Sequence, residues 1–460
     1  MKTLLDLLEE NKRIPMHMPG HKRNTELAPY LERLAARYDI TEIGGFDDLH
    51  SASGILKQSM ERAAAMRSAK QAFYLVNGAT CGLLAAIYAL AAGKKVILAR
   101  NCHKAVYNAL ELCDAQTVFV MPELDSRTGM CGQVRAADIE NKITENPDAA
   151  LVIVTSPTYE GVVSDIDSIC RVAHNAGIPV LIDAAHGAHF GFGYGFPKDA
   201  ISCGADIVVE SLHKTLPSLT QTAILYVSGE LVNPQLISDK LAVFETSSPS
   251  YLLMASIDGC ISLLTERADE LFSAWRRWLD LFYNKAGKLE NLKILNNENG
   301  RFFDFDTSKI VISGADGNWV VNTLREYNIE CEMASLGYAV AMTGMGDTAE
   351  SVAYLADCLW EMDKKVACQE KKYTLYPECP QKVLTVKAAI DKPREYVSYS
   401  EAAGRICGQY VWAYPPGIPI ILPGERISKS IAKILADYKS CGIELKGVPS
   451  CMDGKILVIK

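Results

Sequence analysis

The chain lacks the marks of an exported, membrane-spanning or metal-clustering protein. No two of its fourteen cysteines form a Cys-x-x-Cys pair, which argues against a zinc or redox motif. In a long chain the pattern fits reduced thiols used as small apolar side chains, including Cys81, Cys102 and Cys203 near the motifs below. The opening stretch Met1–Met18 mixes acids into its only apolar part and has neither the basic end nor the cleavage site of a secretory signal. The longest helix-like apolar run, Gly82–Gly93, is too short to cross a bilayer. These absences predict a cytoplasmic protein. A net charge of −8 gives no general attraction for nucleic acid or anionic membrane and only mildly favours a cationic substrate. Internal repeats and low-complexity tracts are missing too.

What is present is an ordinary globular composition, 49% hydrophobic and 22% charged over 460 residues, enough for two or three packed domains. From about residue 70 to 230, short β-branched runs alternate with helical patterns. Ala72–Val76, Lys95–Ala99, Thr117–Met121, Leu151–Thr155, Val180–Asp183, Asp206–Glu210 and Ala223–Val227 read as strands. Gly82–Ala92 and Ile166–Ala176 read as crossover helices. Such alternation predicts an α/β fold with a mostly parallel central sheet covered on both faces. Ligands of such sheets bind at the carboxyl ends of the strands. A second region, about 261–365, opens on a helical pattern around Trp275–Lys285 and continues with strands Lys309–Ser313 and Tyr338–Thr343. The charged stretch Met362–Lys372 reads as a connection, followed by a Pro-rich turn from Tyr414 and a helix near Ser428–Ser440.

One constellation spans several strand ends. Val180-Leu-Ile-Asp183 puts an Asp at the end of a buried strand, and Ile207-Val-Val-Glu210 runs into Ser211-Leu-His-Lys214. Tyr74-Leu-Val-Asn-Gly-Ala-Thr80 reads as strand, glycine turn and helix start. Together these suit pyridoxal phosphate. A lysine amine forms a Schiff base with its aldehyde, and a buried Asp keeps the pyridine nitrogen protonated. Gly78, Ala79 and Thr80 would offer the phosphate backbone N–H groups at a helix N-terminus, with Ser211 and His213 on the other side. Each motif alone has a bland explanation as a cap, turn or surface residue. In this order on one sheet, blandness requires several coincidences.

The chain resembles the Orn/Lys/Arg decarboxylase family, in its shorter form without an N-terminal wing domain. The matches run through Met18-Pro-Gly-His-Lys22, Phe46-Asp-Asp-Leu49, Asn77-Gly-Ala-Thr80, Arg100-Asn-Cys-His-Lys104 and Thr155-Ser-Pro-Thr-Tyr159. They continue through Asp183-Ala-Ala-His-Gly-Ala-His189, Ser211-Leu-His-Lys-Thr215, Leu219-Thr-Gln221 and Thr246-Ser-Ser-Pro-Ser250, ending in Tyr414-Pro-Pro-Gly-Ile-Pro419 and Pro423-Gly-Glu425. The resemblance implies fold type I of the pyridoxal-phosphate enzymes, an entrance segment 1–45, a large cofactor-binding domain 46–260, a small α+β domain 261–365 and a C-terminal decarboxylase-type α+β domain 366–460. It assigns Lys214 to the Schiff base, Asp183 to the ring nitrogen and His103 to stacking on the ring. His186 falls near the substrate carboxylate or the imine. Ser247 and Ser248 would reach the phosphate of a neighbouring subunit, making a homodimer the smallest working unit. His186 and His189 are spaced like a metal pair, but no third ligand accompanies them, and no metal is expected.

The implied reaction is decarboxylation of arginine, lysine or ornithine to the amine and carbon dioxide, a polyamine-forming step, with Lys214 or His213 returning the proton. Where relatives usually carry Ser or Thr, Glu, Gln, Gln and Glu, this chain has Ala79, Ala184, Glu210, Glu245 and Gln409. Gly44 likewise replaces a common acid. These departures leave room for another pyridoxal-phosphate reaction such as aminotransfer, or for a non-catalytic regulatory paralogue. Asp47, Asp48 and Glu332 are the acids proposed for the distal cation of the substrate, because a buried cation requires a partner.

Overall fold

The computed structural model describes residues 14–16, 22, 26–27, 30, 46–125, 128–193, 195–297, 300–366, 379–413, 418–440, 445–448, 452 and 454–460. The expected entrance motif, apart from Lys22, and the turn at Tyr414–Gly417 lie outside them, as does most of the expected connection.

Seven strands form the central sheet: β1 (Gln71–Leu75), β2 (Lys95–Ala99), β3 (Gln116–Val120), β4 (Ala149–Thr155), β5 (Val180–Asp183), β6 (Ile207–Ser211) and β7 (Ala223–Val227). Their order across the sheet is β1-β7-β6-β5-β4-β2-β3. The strands from β6 to β3 are parallel, and β7 runs antiparallel to both β1 and β6. Runs such as Leu181-Ile-Asp183 and Ile207-Val-Val209 are buried on both faces, as helix-covered parallel strands demand. Helices α1 (Ile55–Met66), α2 (Gly78–Ala91), α3 (Lys104–Leu112), α4 (Ala136–Glu145) and α5 (Ile166–Asn175) accompany these strands. Gly82 lets α2 lie close to the sheet, because a Cβ there would stand 2.6 Å from Leu75 Cδ1.

Helix α6 (Pro234–Phe244) precedes the 36-residue α7 (Tyr251–Ala286), which leads into a second apolar core. That core holds β8 (Lys309–Ser313), paired antiparallel with β9 (Tyr338–Met342), and is covered by α8 (Ala349–Asp363). A third cluster surrounds β10 (Arg394–Ser398), β11 (Val411–Ala413), β12 (Ile418–Ile421), α9 (Lys429–Ser440) and β13 (Lys455–Ile459). No helix among the described residues is long and apolar enough to cross a membrane.

Candidate active site

The carboxyl ends of β4, β5 and β6 and the start of α2 surround a cavity of about 290 Å³. Gly78, Ala79, Thr80, Asn101, His103, Asp183, His186, Ser211, His213 and Lys214 all line it, so residues up to 136 positions apart share one wall. Ser247 and Ser248 do not. They are exposed on the link between α6 and α7.

Lys214 sits in the single helical turn Leu212–Thr215 that follows β6. Its Nζ lies 2.9 Å from His186 Nε2. Burial lowers the amine's proton affinity, and the charges of Asp183 and Glu332 only partly oppose that. An amine so placed is a better nucleophile than a surface lysine. His186 is held neutral, first by burial and then by Lys214, and its ring lies 4.6 Å from that of Tyr159. Its Nδ1 is buried with no hydrogen-bond partner among the described residues.

Asp183 ends β5, and its Oδ1 accepts the Ala185 N–H at 3.1 Å. Burial pushes its carboxyl up, while Lys214 and that N–H pull it down. His103 both caps a helix and lines the site. Its Nδ1 accepts Ala105 N–H at 3.2 Å and caps α3, yet its ring also lines the cavity. Burial, then Lys214 and Lys104, lower it to about 4, which leaves a flat neutral ring. His213 donates from Nδ1 to the Thr222 carbonyl at 2.9 Å, fixing its tautomer.

The phosphate-type turn is built by backbone. Gly78 has φ +76, a left-handed conformation that any other residue would strain. The N-cap Asn77 makes no side-chain cap bond, and its Oδ1 accepts the Thr246 N–H instead. First-turn N–H groups of a helix are free to take an anion. With Lys214 and Asp183 on the same wall, this set of donors fits a phosphorylated, aldehyde-bearing pyridine.

The departures have visible accommodations. Glu210 pairs with Arg67 at 3.0 Å in the interior, and Arg67 also donates to the Ala188 carbonyl at 2.7 Å. Arg67 thus ties the loop after β5 to the strand that leads into the Lys214 turn. Gln409 uses both ends of its amide, donating to Gly447 O and accepting from Leu457 N–H, which a carboxylate could not do. Ala184 lies in the main core, and nothing in its surroundings explains the missing carboxylate.

Glu245 accepts the Val76 N–H at 2.6 Å, and burial pushes its carboxyl up to about 7. A carboxyl that holds its proton more tightly when folded loses stability as pH rises from the unfolded value, near 4.3, to the folded one. Glu245→Gln should therefore stabilise the protein by up to about 3 kcal/mol near pH 8, the gain shrinking towards pH 5. Melting temperatures across that range check it; an equal shift at both ends would contradict it.

Of the three acids proposed for the distal cation, the structure brings only Glu332 to the cavity. Asp47 instead accepts backbone N–H groups of Ser53, Gly54 and Leu56, and Asp48 caps the turn at His50. Glu332 hydrogen-bonds Tyr159 Oη. His189 turns from His186 to Asp306, 3.1 Å away. Sequence reasoning missed Lys309, wholly buried in β8, with an Nζ that has no hydrogen-bond partner among the described residues. Burial lowers it to about 8, and Lys214 and Lys22 add to that. A lysine opening an otherwise apolar strand was the only signal. Lys22 is buried and donates to the Met342 carbonyl at 3.1 Å.

Comparisons with known proteins converge. The Orn/Lys/Arg decarboxylase major domain matches residues 2–338, and the C-terminal domain of the same family matches residues 367–449. The chain is 31% identical to an arginine decarboxylase of Bacillus subtilis over 97% of its own length and 95% of the relative's. It is 21% identical to the inducible lysine decarboxylase of Escherichia coli, covering 73% of that protein. Among solved structures, lysine decarboxylase A from Pseudomonas aeruginosa superposes with a TM-score of 0.78 at 17% identity, over 96% of this chain and 77% of that one. The Francisella novicida lysine decarboxylase gives 0.76 at 19% identity, over 90% and 73%.

Proposed function

The chain belongs to the Orn/Lys/Arg decarboxylase family, and from that premise we propose that it removes the α-carboxyl group of a basic amino acid, with pyridoxal phosphate held in the Lys214 cavity. The observation that carries this reading is the meeting of Lys214, Asp183 and the Gly78 helix start around one cavity.

When bound, the cofactor supplies a protonated pyridine ring that takes up the electron pair left at the α-carbon as carbon dioxide departs. The residues do the rest. Lys214 holds the aldehyde, Asp183 keeps the proton on the ring nitrogen, and His103 packs on the ring. Backbone N–H groups of Gly78, Ala79 and Thr80, with Ser211 and His213, hold the phosphate. Lys214, in contact with His186, is the proton source for the α-carbon. The cavity wall would orient the substrate, and that orientation would select decarboxylation over aminotransfer.

Glu332, oriented by Tyr159, is assigned to the distal ammonium or guanidinium. Glu332→Gln should raise KM for the basic amino acid by roughly 10- to 100-fold, the value of a charged hydrogen bond, with a smaller effect on kcat. An unchanged KM would remove Glu332 from this role. The similarity to arginine decarboxylases favours arginine. Separate incubations with arginine, lysine and ornithine, with products identified by mass, test both substrate and reaction; a keto acid without amine would overturn decarboxylation.

Ser247 and Ser248, exposed and absent from the lining of their own chain's cavity, are assigned to the phosphate of a second copy. Mixing inactive Lys214→Ala and inactive Ser248→Arg chains should then restore activity, up to about a quarter of wild type for random pairing. No recovery would favour sites complete within one chain.

A further inference from the structure

Two sequence motifs 325 residues apart meet in one buried ion pair. Arg100 follows β2 in the large domain, and Glu425 closes the Pro423-Gly-Glu425 turn of the C-terminal domain. Their contact is two-pronged, with Nη1 to Oε1 at 2.5 Å and Nη2 to Oε2 at 2.9 Å, and both side chains are almost wholly buried. Desolvating two charges is costly, and pairing only roughly offsets that cost. What such a fork does provide is a single allowed orientation.

Both partners are held. Glu425 Oε2 also accepts the Leu422 N–H at 2.8 Å, and the Glu425 carbonyl accepts from Cys407 at 2.7 Å. On the other side, the Arg100 N–H bonds the Val120 carbonyl at 2.8 Å, and the Arg100 carbonyl receives Tyr107 Oη at 2.6 Å. The guanidinium lies 4.6 Å over the Phe119 ring. From this fixed point the chain reaches the cavity within three residues, a span of at most about 10 Å. Asn101 and His103 line the cavity wall, and His103 begins α3. The C-terminal domain grips α3 as well, through Trp412 against Tyr107, with ring centroids 5.7 Å apart, and Tyr410 Oη to Glu111 at 2.7 Å.

We propose that Glu425 is a positioning residue for the cofactor site: by clamping Arg100 it sets the strand-end turn that presents Asn101 and His103 to the cavity. The C-terminal domain is then part of the cofactor-binding apparatus, although no residue of it lines the cavity among the described residues. The inference rests on the reading that the cavity holds pyridoxal phosphate.

The test compares full-length wild type, Glu425→Gln, the apolar pair Arg100→Met with Glu425→Leu, and Tyr410→Phe. Cofactor affinity, visible circular dichroism of the bound cofactor and melting temperature are measured for each. Glu425→Gln should bind pyridoxal phosphate about tenfold more weakly, with altered visible dichroism. The apolar pair should keep or regain thermal stability yet show the same cofactor defect, which separates positioning from folding if the single variant is unstable. Tyr410→Phe loosens the same boundary without touching the fork and should bind normally. Wild-type affinity and dichroism in both Glu425 variants, or an equal defect in Tyr410→Phe, would overturn the proposal. A wild type that itself binds no cofactor would sink the underlying reading instead.

Discussion

Lys214→Ala should lower decarboxylation by about a thousand-fold or more while leaving the fold intact, because the step depends on one amine that no neighbour can replace. The nearest base, His186, is an imidazole held neutral by burial and cannot form the same bond to an aldehyde. The lysine also lies where its own charge is disfavoured, so its removal takes away a buried cation along with a few methylenes. The expected change in stability is small and could favour the variant. Steady-state carbon dioxide release measured beside a melting curve separates the two effects. A variant that retains a tenth of wild-type activity would show that another group carries the chemistry. Lys309 is the first to examine, since it too is a buried lysine within electrostatic reach of Lys214.

Asp183→Asn should have the second largest effect, about a hundred- to ten-thousand-fold on kcat at saturating cofactor. The amide preserves shape and can still accept the Ala185 N–H that Asp183 takes at 3.1 Å, so the fold should survive. What it loses is the negative charge at the end of β5. Burial already pushes this carboxyl towards neutrality, and Lys214 with one backbone N–H opposes that. A ring nitrogen carrying a proton would add a further opposing charge. Without the carboxylate the two other acids of the cavity lining are engaged elsewhere, Glu160 with Tyr338 Oη at 2.6 Å and Glu332 with Tyr159 Oη. Near-normal kcat in Asp183→Asn would mean that the ring proton is irrelevant to the reaction, and the assignment would fail.

Much of this arrangement was legible in the sequence because it depends on local pattern. Continuous apolar runs marked the strands, and residues immediately after them became the cavity wall, as the topology of parallel sheets requires. Lys214, Asp183 and Gly78 were found in that way, whereas His103 came only from the family resemblance. What was not legible depends on long-range meetings. Nothing near Glu332 distinguished it from Asp47 or Asp48; its contact with Tyr159 spans 173 positions, and Asp47 is consumed by backbone N–H groups of its own turn. The partner of Glu210, Arg67, lies 143 positions away. Without it, a carboxylate in place of a glutamine looked like a defect. Strand periodicity also carries no direction, so the reversal of β7 within an otherwise mostly parallel sheet could not be read.

Every role assigned to the cavity depends on attachment of the cofactor at Lys214. Protein saturated with pyridoxal phosphate, reduced with borohydride and digested, should carry a pyridoxyl group on the peptide containing Lys214 and on no other. A label on Lys309 or Lys22, or no label despite saturation, would contradict it.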